Sequence, residues 1–182
     1  MLKPNNSWMW YYDQKVDALM LDLGDEMVFR VSIPTKHLIP CAFAKSVFTV
    51  DDATTYQTYL EGINQLDLSP PRKAELALTA VAASRFHKPM MPKSWFFESS
   101  NANCVPQTGD VVTLTTKDGK GNFLIIENSG CASLCMLASV EGLTLTTSKE
   151  MAFCELIKVM NDRMSEYEVY IEQPVVSFAL VG

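Results

Sequence analysis

The side chains best suited to chemistry in this 182-residue chain are two histidines and five cysteines. His37 and His87 stand alone, and no pair of ligands has the spacing of a zinc finger. Cys131-x-x-x-Cys135 falls on a predicted strand that points both side chains to one face, but tetrahedral zinc needs four ligands and no second pair exists. We interpret these two cysteines as core residues.

Other catalytic patterns are equally incomplete. Gly119-Lys120-Gly121 lacks the Gly-Lys-Ser/Thr ending and the following helix of a phosphate-binding loop, so a hairpin turn explains it. No Gly-x-Ser-x-Gly elbow occurs. Cys104 and His87 could imitate a thiol–imidazole pair, but five cysteines and two histidines offer such coincidences readily. The residues therefore predict no enzyme, no cofactor and no metal.

The most unusual stretch runs from residue 85 to residue 97. No acidic residue occurs between Glu75 and Glu98, although the whole chain has a net charge of −6. Pro89 and Pro92 stiffen this segment, because each fixes its own backbone φ. Its basic side chains are Arg85, His87, Lys88 and Lys93, and its large apolar ones include Met90, Met91, Trp95, Phe96 and Phe97.

Two interpretations of this segment stay open. In the first, Lys88 and Lys93 are ordinary surface lysines, and Trp95 anchors the two halves of the chain to each other. In the second, Arg85, Lys88 and Lys93 form the rim of an apolar patch built by Met90, Met91 and Trp95. Aromatic residues, methionine and arginine are enriched at binding surfaces, which supports the second. The residues alone favour the first.

Composition restricts the class of protein. With 48% apolar and 20% charged residues, the chain is typical of a globular protein. Its acidic balance argues against a general nucleic-acid or anionic-membrane binder, since both need many Lys and Arg contacts. No apolar run approaches the roughly 20 residues of a membrane-spanning helix, and the N-terminus lacks a secretory signal. The scattered cysteines predict reduced thiols packed as small hydrophobes, so we expect a cytoplasmic protein.

The elements that must position these residues begin with three short strands, predicted over 8–14, 18–23 and 27–32. Tight turns between them predict an antiparallel meander, which needs a cover on its apolar face. Two helices, predicted over 53–66 and 70–85, supply that cover.

Both helices carry start signals. Asp51 or Asp52 is the predicted N-cap of the first. Ser69 is the predicted N-cap of the second, and Pro70 and Pro71 fill its first turn, where a missing amide does no harm. Residues 1–95 therefore predict an α+β domain in which two helices cover an antiparallel sheet.

Residues 96–182 predict a second domain, a small barrel or sandwich built from short strands between Gly-containing turns. Val111–Thr116 and Asn122–Ile126 form its clearest hairpin, whereas 153–164 suits either a helical turn or a buried strand. The strand-like runs cover 95–98, 111–116, 122–127, 132–138, 143–147, 167–171 and 175–180.

Seven blocks of sequence, in order along most of the chain, resemble the ZapC family of bacterial cell-division proteins associated with the FtsZ ring. The blocks with the most specific patterns are Lys-Pro-x-Met-Pro-Lys-Ser-Trp at 88–95 and Met-Asn-Asp-Arg at 160–163. The others are Trp8-x-Trp10-Tyr11-Tyr12-Asp13, Met20-Leu21-Asp22-Leu23, Met27-x-Phe29-Arg30, Val50-Asp51-Asp52-Ala53 and Lys73-Ala74-Glu75-Leu76.

This resemblance implies a non-enzymatic, monomeric, cytoplasmic protein at the division site that binds FtsZ, bundles its protofilaments and suppresses its GTPase turnover. It also implies an N-terminal α/β domain and a C-terminal twisted β-barrel-like domain, each with a pocket. Leu21, Lys88 and Lys93 fall in blocks associated with FtsZ interaction, and Lys158 or Arg163 would line the second pocket. With the basic segment added, the predicted FtsZ-binding residues are Leu21, Arg85, Lys88, Met91, Lys93, Trp95, Lys158 and Arg163.

Alternatives from other classes remain at this point. One is an adaptor for a different acidic protein, and another is an enzyme with a small-molecule substrate in a cleft between the domains. The apolar end of the chain, 178–182, is either packed against the protein or presented to a protease. We expect neither nucleic acid nor a membrane as a partner.

Overall fold

The architecture is three-layered: in a computed structural model that describes residues 2–168, two helices lie between two antiparallel sheets. The predicted α+β class is confirmed. The strand predicted over 175–180 lies outside the described residues, as does most of the strand predicted over 167–171. Tyr167 and Glu168, which are described, belong to no strand.

The N-terminal sheet contains β1 (Met9–Asp13), β2 (Ala18–Gly24), β3 (Met27–Arg30) and β4 (Ser46–Val47), in the order β3-β2-β1-β4. The three-stranded meander is confirmed. The prediction missed β4, because two residues are too short a run to show an alternating pattern. One face of this sheet packs on the helices.

Helix α1 (Val50–Ile63) begins three residues before its predicted start. The prediction of Asp51 or Asp52 as its N-cap was wrong: the cap is Thr49. Thr49 Oγ1 accepts a hydrogen bond from the Asp52 amide, and Asp52 Oδ2 accepts one from the Thr49 amide, both at 3.0 Å. This reciprocal capping box satisfies two backbone donors and fixes the start of the helix.

Helix α2 (Pro70–Phe86) begins as predicted, with prolines in its first turn and Ser69 as the cap. Ser69 Oγ accepts a hydrogen bond from the Arg72 amide. The helix ends at Phe86, and His87 is extended. Pro89 follows shortly after, and the residue that precedes a proline is restricted away from helical backbone.

The second half forms an open five-stranded sheet with a separate hairpin packed on it, and the described residues contain no closed barrel. The sheet order is β10-β7-β6-β5-β11. The strands are β5 (Val111–Thr116), β6 (Gly119–Asn128), β7 (Ala132–Leu137), β8 (Leu143–Thr146), β9 (Lys149–Met151), β10 (Leu156–Met160) and β11 (Met164–Glu166), of which β8 and β9 form the hairpin.

Two ambiguous or incorrect predictions are resolved in this half. Within the stretch 153–164, Leu156–Met160 form the strand β10, and a 3-10 turn at Asn161–Arg163 follows it. The strand predicted over 95–98 is wrong, because Ser94–Phe96 forms a 3-10 turn closed by a hydrogen bond from the Phe97 amide to the Ser94 carbonyl. Ser94 Oγ also accepts from the Met160 amide at 2.8 Å, which ties this turn to β10.

Strand β6 is buried on both faces and joins the two cores. Leu124 and Ile126 belong to the cluster that contains the helices and the N-terminal sheet. Phe123 and Ile125 belong to a second cluster, closed by the β8–β9 hairpin. Tyr59 of α1 donates a hydrogen bond from its hydroxyl to the Ile126 carbonyl at 3.3 Å. The buried contacts therefore continue from the first half of the chain into the second.

The cysteines only partly follow the prediction. Cys135 and Cys154 are buried, but Cys41 and Cys131 are exposed, so the prediction that all five pack as hydrophobes was wrong. Cys131 and Cys135 do not share a strand, because β7 begins at Ala132 and leaves Cys131 in the preceding turn.

Candidate functional site

A backbone bridge brings together the two histidines, which are distant in sequence. The Ile39 amide donates to the Phe86 carbonyl at 2.8 Å, and the Lys88 amide donates to the His37 carbonyl at 2.8 Å. The His37 and His87 rings consequently meet edge to face, with their centroids 5.8 Å apart and their planes at 65°. Sequence reasoning missed this pair, since nothing in the local pattern predicts a contact between a short turn and the end of α2.

The histidines belong to a set of five basic side chains that we call the basic cluster: Lys36, His37, His87, Lys88 and Lys93. Lys88 Nζ donates to the Lys36 carbonyl at 3.0 Å, which joins the two sides of the bridge. Burial lowers the pKa of His37, and the charges of Lys36, Lys93 and Lys88 lower it further. Like charges close to a base disfavour its protonated form.

His87 has a defined tautomer. Its Nδ1 lies 2.6 Å from the Lys88 carbonyl oxygen, and because that oxygen can only accept, Nδ1 carries the proton. Burial lowers the pKa of His87, the hydrogen bond to Lys88 raises it and His37 lowers it. In the neutral ring Nε2 is therefore left as an acceptor.

No carboxylate within residues 2–168 forms an ion pair with any member of the basic cluster. The three ion pairs among the described residues are Arg72–Glu75, Arg85–Asp52 and Arg163–Asp162. Among the described residues, the cluster is thus a cationic site without a paired carboxylate, on a chain whose net charge is −6.

Two large apolar side chains beside the cluster are solvent-exposed. Met91 is 80% exposed and Trp95 is 71% exposed, and both lie within two residues of Lys93. Trp95 packs on the Phe96 ring at a centroid distance of 5.5 Å, which limits its orientations. We call the basic cluster together with Met91 and Trp95 the basic–apolar surface. Trp95 does not anchor the two halves as a buried residue would.

Arg85 is placed differently from its predicted role on the rim. Its Nη1 donates to Asp52 Oδ2 at 2.6 Å and to the Val47 carbonyl at 2.9 Å, and its guanidinium lies 4.9 Å from the Phe86 ring centroid. The prediction that Arg85 belongs to the cationic rim was wrong, because a buried carboxylate neutralises it. It connects α2 to the start of α1.

Leu21 has no exposed surface and packs in the core of the N-terminal sheet, so it supports this half rather than presenting a side chain to a partner. The half-buried Lys158 lies on β10, where its carbonyl accepts from the Lys93 amide at 2.8 Å. Arg163 is paired with Asp162 at 2.8 Å. Lys88 and Lys93 both act on the His37 ring, and the Lys93 amide joins this segment to the backbone of Lys158. Met91 and Trp95 are exposed on either side of Lys93 in the sequence, whereas Leu21 is buried and Arg85 is paired with Asp52.

An apolar concavity of about 490 Å³ lies elsewhere, between α1 and the start of α2. None of its lining residues is among the predicted partner-binding residues. They are Leu2, Met27, Tyr56, Leu60, Pro70, Pro71, Lys73 and Ala74. The described part of the chain contains no group of three residues suited to hold a metal ion, and none of its helices has the length and apolarity to cross a membrane.

Comparisons with known proteins account for both halves of this molecule. The family model for the N-terminal part of the cell-division protein ZapC matches residues 1–88, and the model for its C-terminal part matches residues 89–170.

Curated relatives match along nearly the whole chain. The cell division protein ZapC of Photobacterium profundum is 60% identical over the full length of both proteins, and that of Aliivibrio salmonicida is 53% identical over the same extent. The Vibrio cholerae protein of the same name is 45% identical over 96% of this chain and 97% of its own length. On this similarity, the chain belongs to the ZapC family of cell-division proteins.

Proposed function

We propose that this protein binds FtsZ through the basic–apolar surface, promotes bundling of FtsZ protofilaments and stabilises the Z ring, without catalysing a reaction. The observation that carries the proposal is a cluster of bases that forms no ion pair within residues 2–168, next in sequence to exposed Met91 and Trp95, in a chain whose net charge is −6. Membership of a cell-division family supports it. The protein would act in the cytoplasm at the division site, as a monomer.

The surface suits a partner segment that is both acidic and apolar, such as the C-terminal tail of FtsZ. Lys88 and Lys93 would attract its carboxylates during the encounter, and Met91 and Trp95 would bury its apolar side chains once docked. Methionine adapts to different side-chain shapes, and a large aromatic ring supplies contact area at low cost in conformational entropy. Lys158 is included in the proposal because its carbonyl accepts a hydrogen bond from the Lys93 amide at 2.8 Å, which holds its backbone next to Lys93.

Co-sedimentation with purified FtsZ tests this proposal. Lys93→Glu reverses a charge in the basic cluster and should strongly reduce the fraction of protein that sediments with FtsZ. Lys117→Glu makes the same change at an exposed hairpin position outside the surface and should leave sedimentation unchanged. FtsZ lacking its C-terminal tail should bind the unaltered protein weakly.

Both variants must keep the melting temperature of the unaltered protein for the comparison to be valid. Equal sedimentation of the Lys93 and Lys117 variants, with both folded, would contradict a role for the basic cluster. Failure of the unaltered protein to bind FtsZ at all would instead favour an adaptor for another acidic protein.

A further inference from the structure

The two histidines of the basic cluster are titratable groups inside the surface that the proposed function uses. They are the chain's only histidines, yet a backbone bridge between two distant segments places their rings 5.8 Å apart. Here the neighbouring charged groups are lysines.

We propose that His37 and His87, together with Lys36, are partner-binding residues that recognise carboxylates in their protonated form, so that binding tightens as the pH falls from about 8 to about 6. This inference rests on the proposed function. It assigns binding roles to three residues outside the set predicted from the sequence, and it identifies the recognised groups as Asp or Glu carboxylates.

The groups that face the histidines come from each segment packed around them. Lys36 lies beside His37 in the 3-10 turn Thr35–His37, and Lys88 follows His87 at the end of α2. Lys93 approaches from the segment tied to β10. All three are positive, and within residues 2–168 no carboxylate is among the charged groups that act on either ring. In the free protein this environment disfavours a further positive charge.

A bound carboxylate reverses that balance. It neutralises nearby lysine charge and offers an acceptor to an imidazolium N–H, so protonation of the rings becomes favourable in the complex. His87 already donates from Nδ1 to the Lys88 carbonyl, so protonation would convert its Nε2 from an acceptor into a donor for the partner.

The sign of the effect follows from linkage. Each histidine has a pKa lowered below its ordinary value in the free protein, and carboxylate binding raises it. Protons are therefore taken up on binding, and affinity increases as the pH falls through this range. Partner Asp and Glu side chains remain ionised above about pH 5, so they do not cancel the gain.

The test measures the dissociation constant for purified FtsZ at pH 6, 7 and 8, with the unaltered protein and with His37→Gln/His87→Asn. Asn at position 87 keeps an amide donor near the Lys88 carbonyl, and the double variant contains no histidine. The ratio of the two dissociation constants at each pH removes any titration of FtsZ itself. One unit of pKa rise at one histidine corresponds to about a tenfold change in affinity.

We expect the dissociation constant of the double variant, divided by that of the unaltered protein, to be about tenfold larger at pH 6 than at pH 8. Parallel pH profiles for the two proteins would overturn the inference while leaving the proposed function intact. No binding by the unaltered protein at any of these pH values would overturn both. If the double variant is unfolded, a histidine titration of the unaltered protein by NMR replaces it. Both ring pKa values must rise when FtsZ is added. Unchanged values would also overturn the inference.

Discussion

At the scale of single residues, Asp52 organises the region behind the basic–apolar surface. One of its oxygens, Oδ2, accepts hydrogen bonds from the Arg85 guanidinium, the Trp10 indole at 3.1 Å and the Thr49 amide. The residue is only 6% exposed. It therefore neutralises the one arginine of the basic segment and fixes the start of α1, leaving the cationic role to the lysines and histidines.

Asp52→Ala should lower the free energy of unfolding by about 2–4 kcal/mol, because it leaves a partly buried arginine and an indole N–H without their acceptor. Asp51→Ala, at the exposed neighbouring position, removes only a favourable charge in the first helical turn and should cost less than about 1 kcal/mol. Urea denaturation of both variants measures the difference. Equal losses would show that Asp52 contributes as a helix-start charge and not as a buried hydrogen-bond acceptor.

Tyr59 gives a prediction about alkaline pH. Burial is the main cause that raises its pKa to about 12, with Glu127 adding to the rise and a hydrogen bond with Ser84 opposing it. Up to about pH 10 both the folded and the unfolded states keep the phenol proton. Above that the unfolded state ionises first, so stability falls progressively as the pH approaches 12, by on the order of 2 kcal/mol from this residue.

Urea midpoints between pH 8 and pH 11 test the contribution of Tyr59. Tyr59→Phe should cost about 1 kcal/mol near neutral pH, since the hydrogen bond to the Ile126 carbonyl is lost. Its midpoint should then fall less steeply with pH than that of the unaltered protein. An equally steep decline would assign the alkaline sensitivity to other groups, such as the buried Cys154 thiol.

The residue-level site was only partly predictable from the sequence. Lys88, Lys93, Met91 and Trp95 lie in one continuous segment, so composition and spacing were enough to single them out. The ion pair of Arg85 and the pairing of the histidines depend on partners far away in the chain, which no local pattern encodes.

At the scale of elements, α1 and the loop before β5 approach each other at two glycines. A Cβ atom on Gly62 would overlap the Gly109 carbonyl oxygen, and Gly109 itself has a φ of +91°, a conformation that L side chains rarely adopt. Gly62 lies within a helix, where glycine is intrinsically about 1 kcal/mol less favourable than alanine. Close approach of the backbones explains its presence there.

Gly62→Ala should therefore destabilise the protein by about 1–3 kcal/mol despite the higher helix propensity of alanine. Gly119→Ala is the matched control, because a Cβ at that position meets no atom within 4 Å. It should change stability by less than about 0.5 kcal/mol. Thermal or urea unfolding distinguishes the two, and a stabilising effect of Gly62→Ala would show that the loop can move away from α1 at little cost.

Elements with strong local signals were the ones predicted correctly. The second helix has its cap and prolines in sequence order, and the β5–β6 hairpin has alternating residues. The turn of that hairpin was predicted in the wrong place: it is Lys117-Asp118, and Gly119-Lys120-Gly121 pairs with β5 as the start of β6. The failures occurred where a distant partner decides the structure. Ser94–Phe96 reads as a strand, but a hydrogen bond to β10 supports a 3-10 turn there.

At the scale of the whole molecule, the boundary near residue 95 remains a prediction, and we propose it as the junction of two units that share buried contacts. The helices pack against β6 as well as the N-terminal sheet, so the first cluster includes Leu124, Ile126 and Met136 from the second half. The basic–apolar surface includes residues of the Thr35–His37 turn, of the end of α2 and of the turn tied to β10. It therefore spans this junction.

The lysines and the exposed apolar residues of the basic–apolar surface should affect different rates of FtsZ binding. A basic cluster on a chain of net charge −6 acts mainly on the encounter, and its field is screened within about 10 Å at 0.1 M salt. Lys88→Gln/Lys93→Gln should therefore lower the association rate about three- to tenfold at low salt, with a smaller effect at 0.5 M salt.

Trp95→Ala should behave in the opposite way, because an apolar contact forms after the encounter and delays dissociation. Interferometry on immobilised FtsZ should show a faster dissociation rate for Trp95→Ala at both salt concentrations and a nearly unchanged association rate. Val105→Ala removes another highly exposed apolar side chain, one that lies in a loop outside the surface, and should alter neither rate. If the lysine double variant instead dissociates faster, by the same factor at both salt concentrations, the lysines make close, desolvated contacts with FtsZ. Electrostatic steering would then not be their main role.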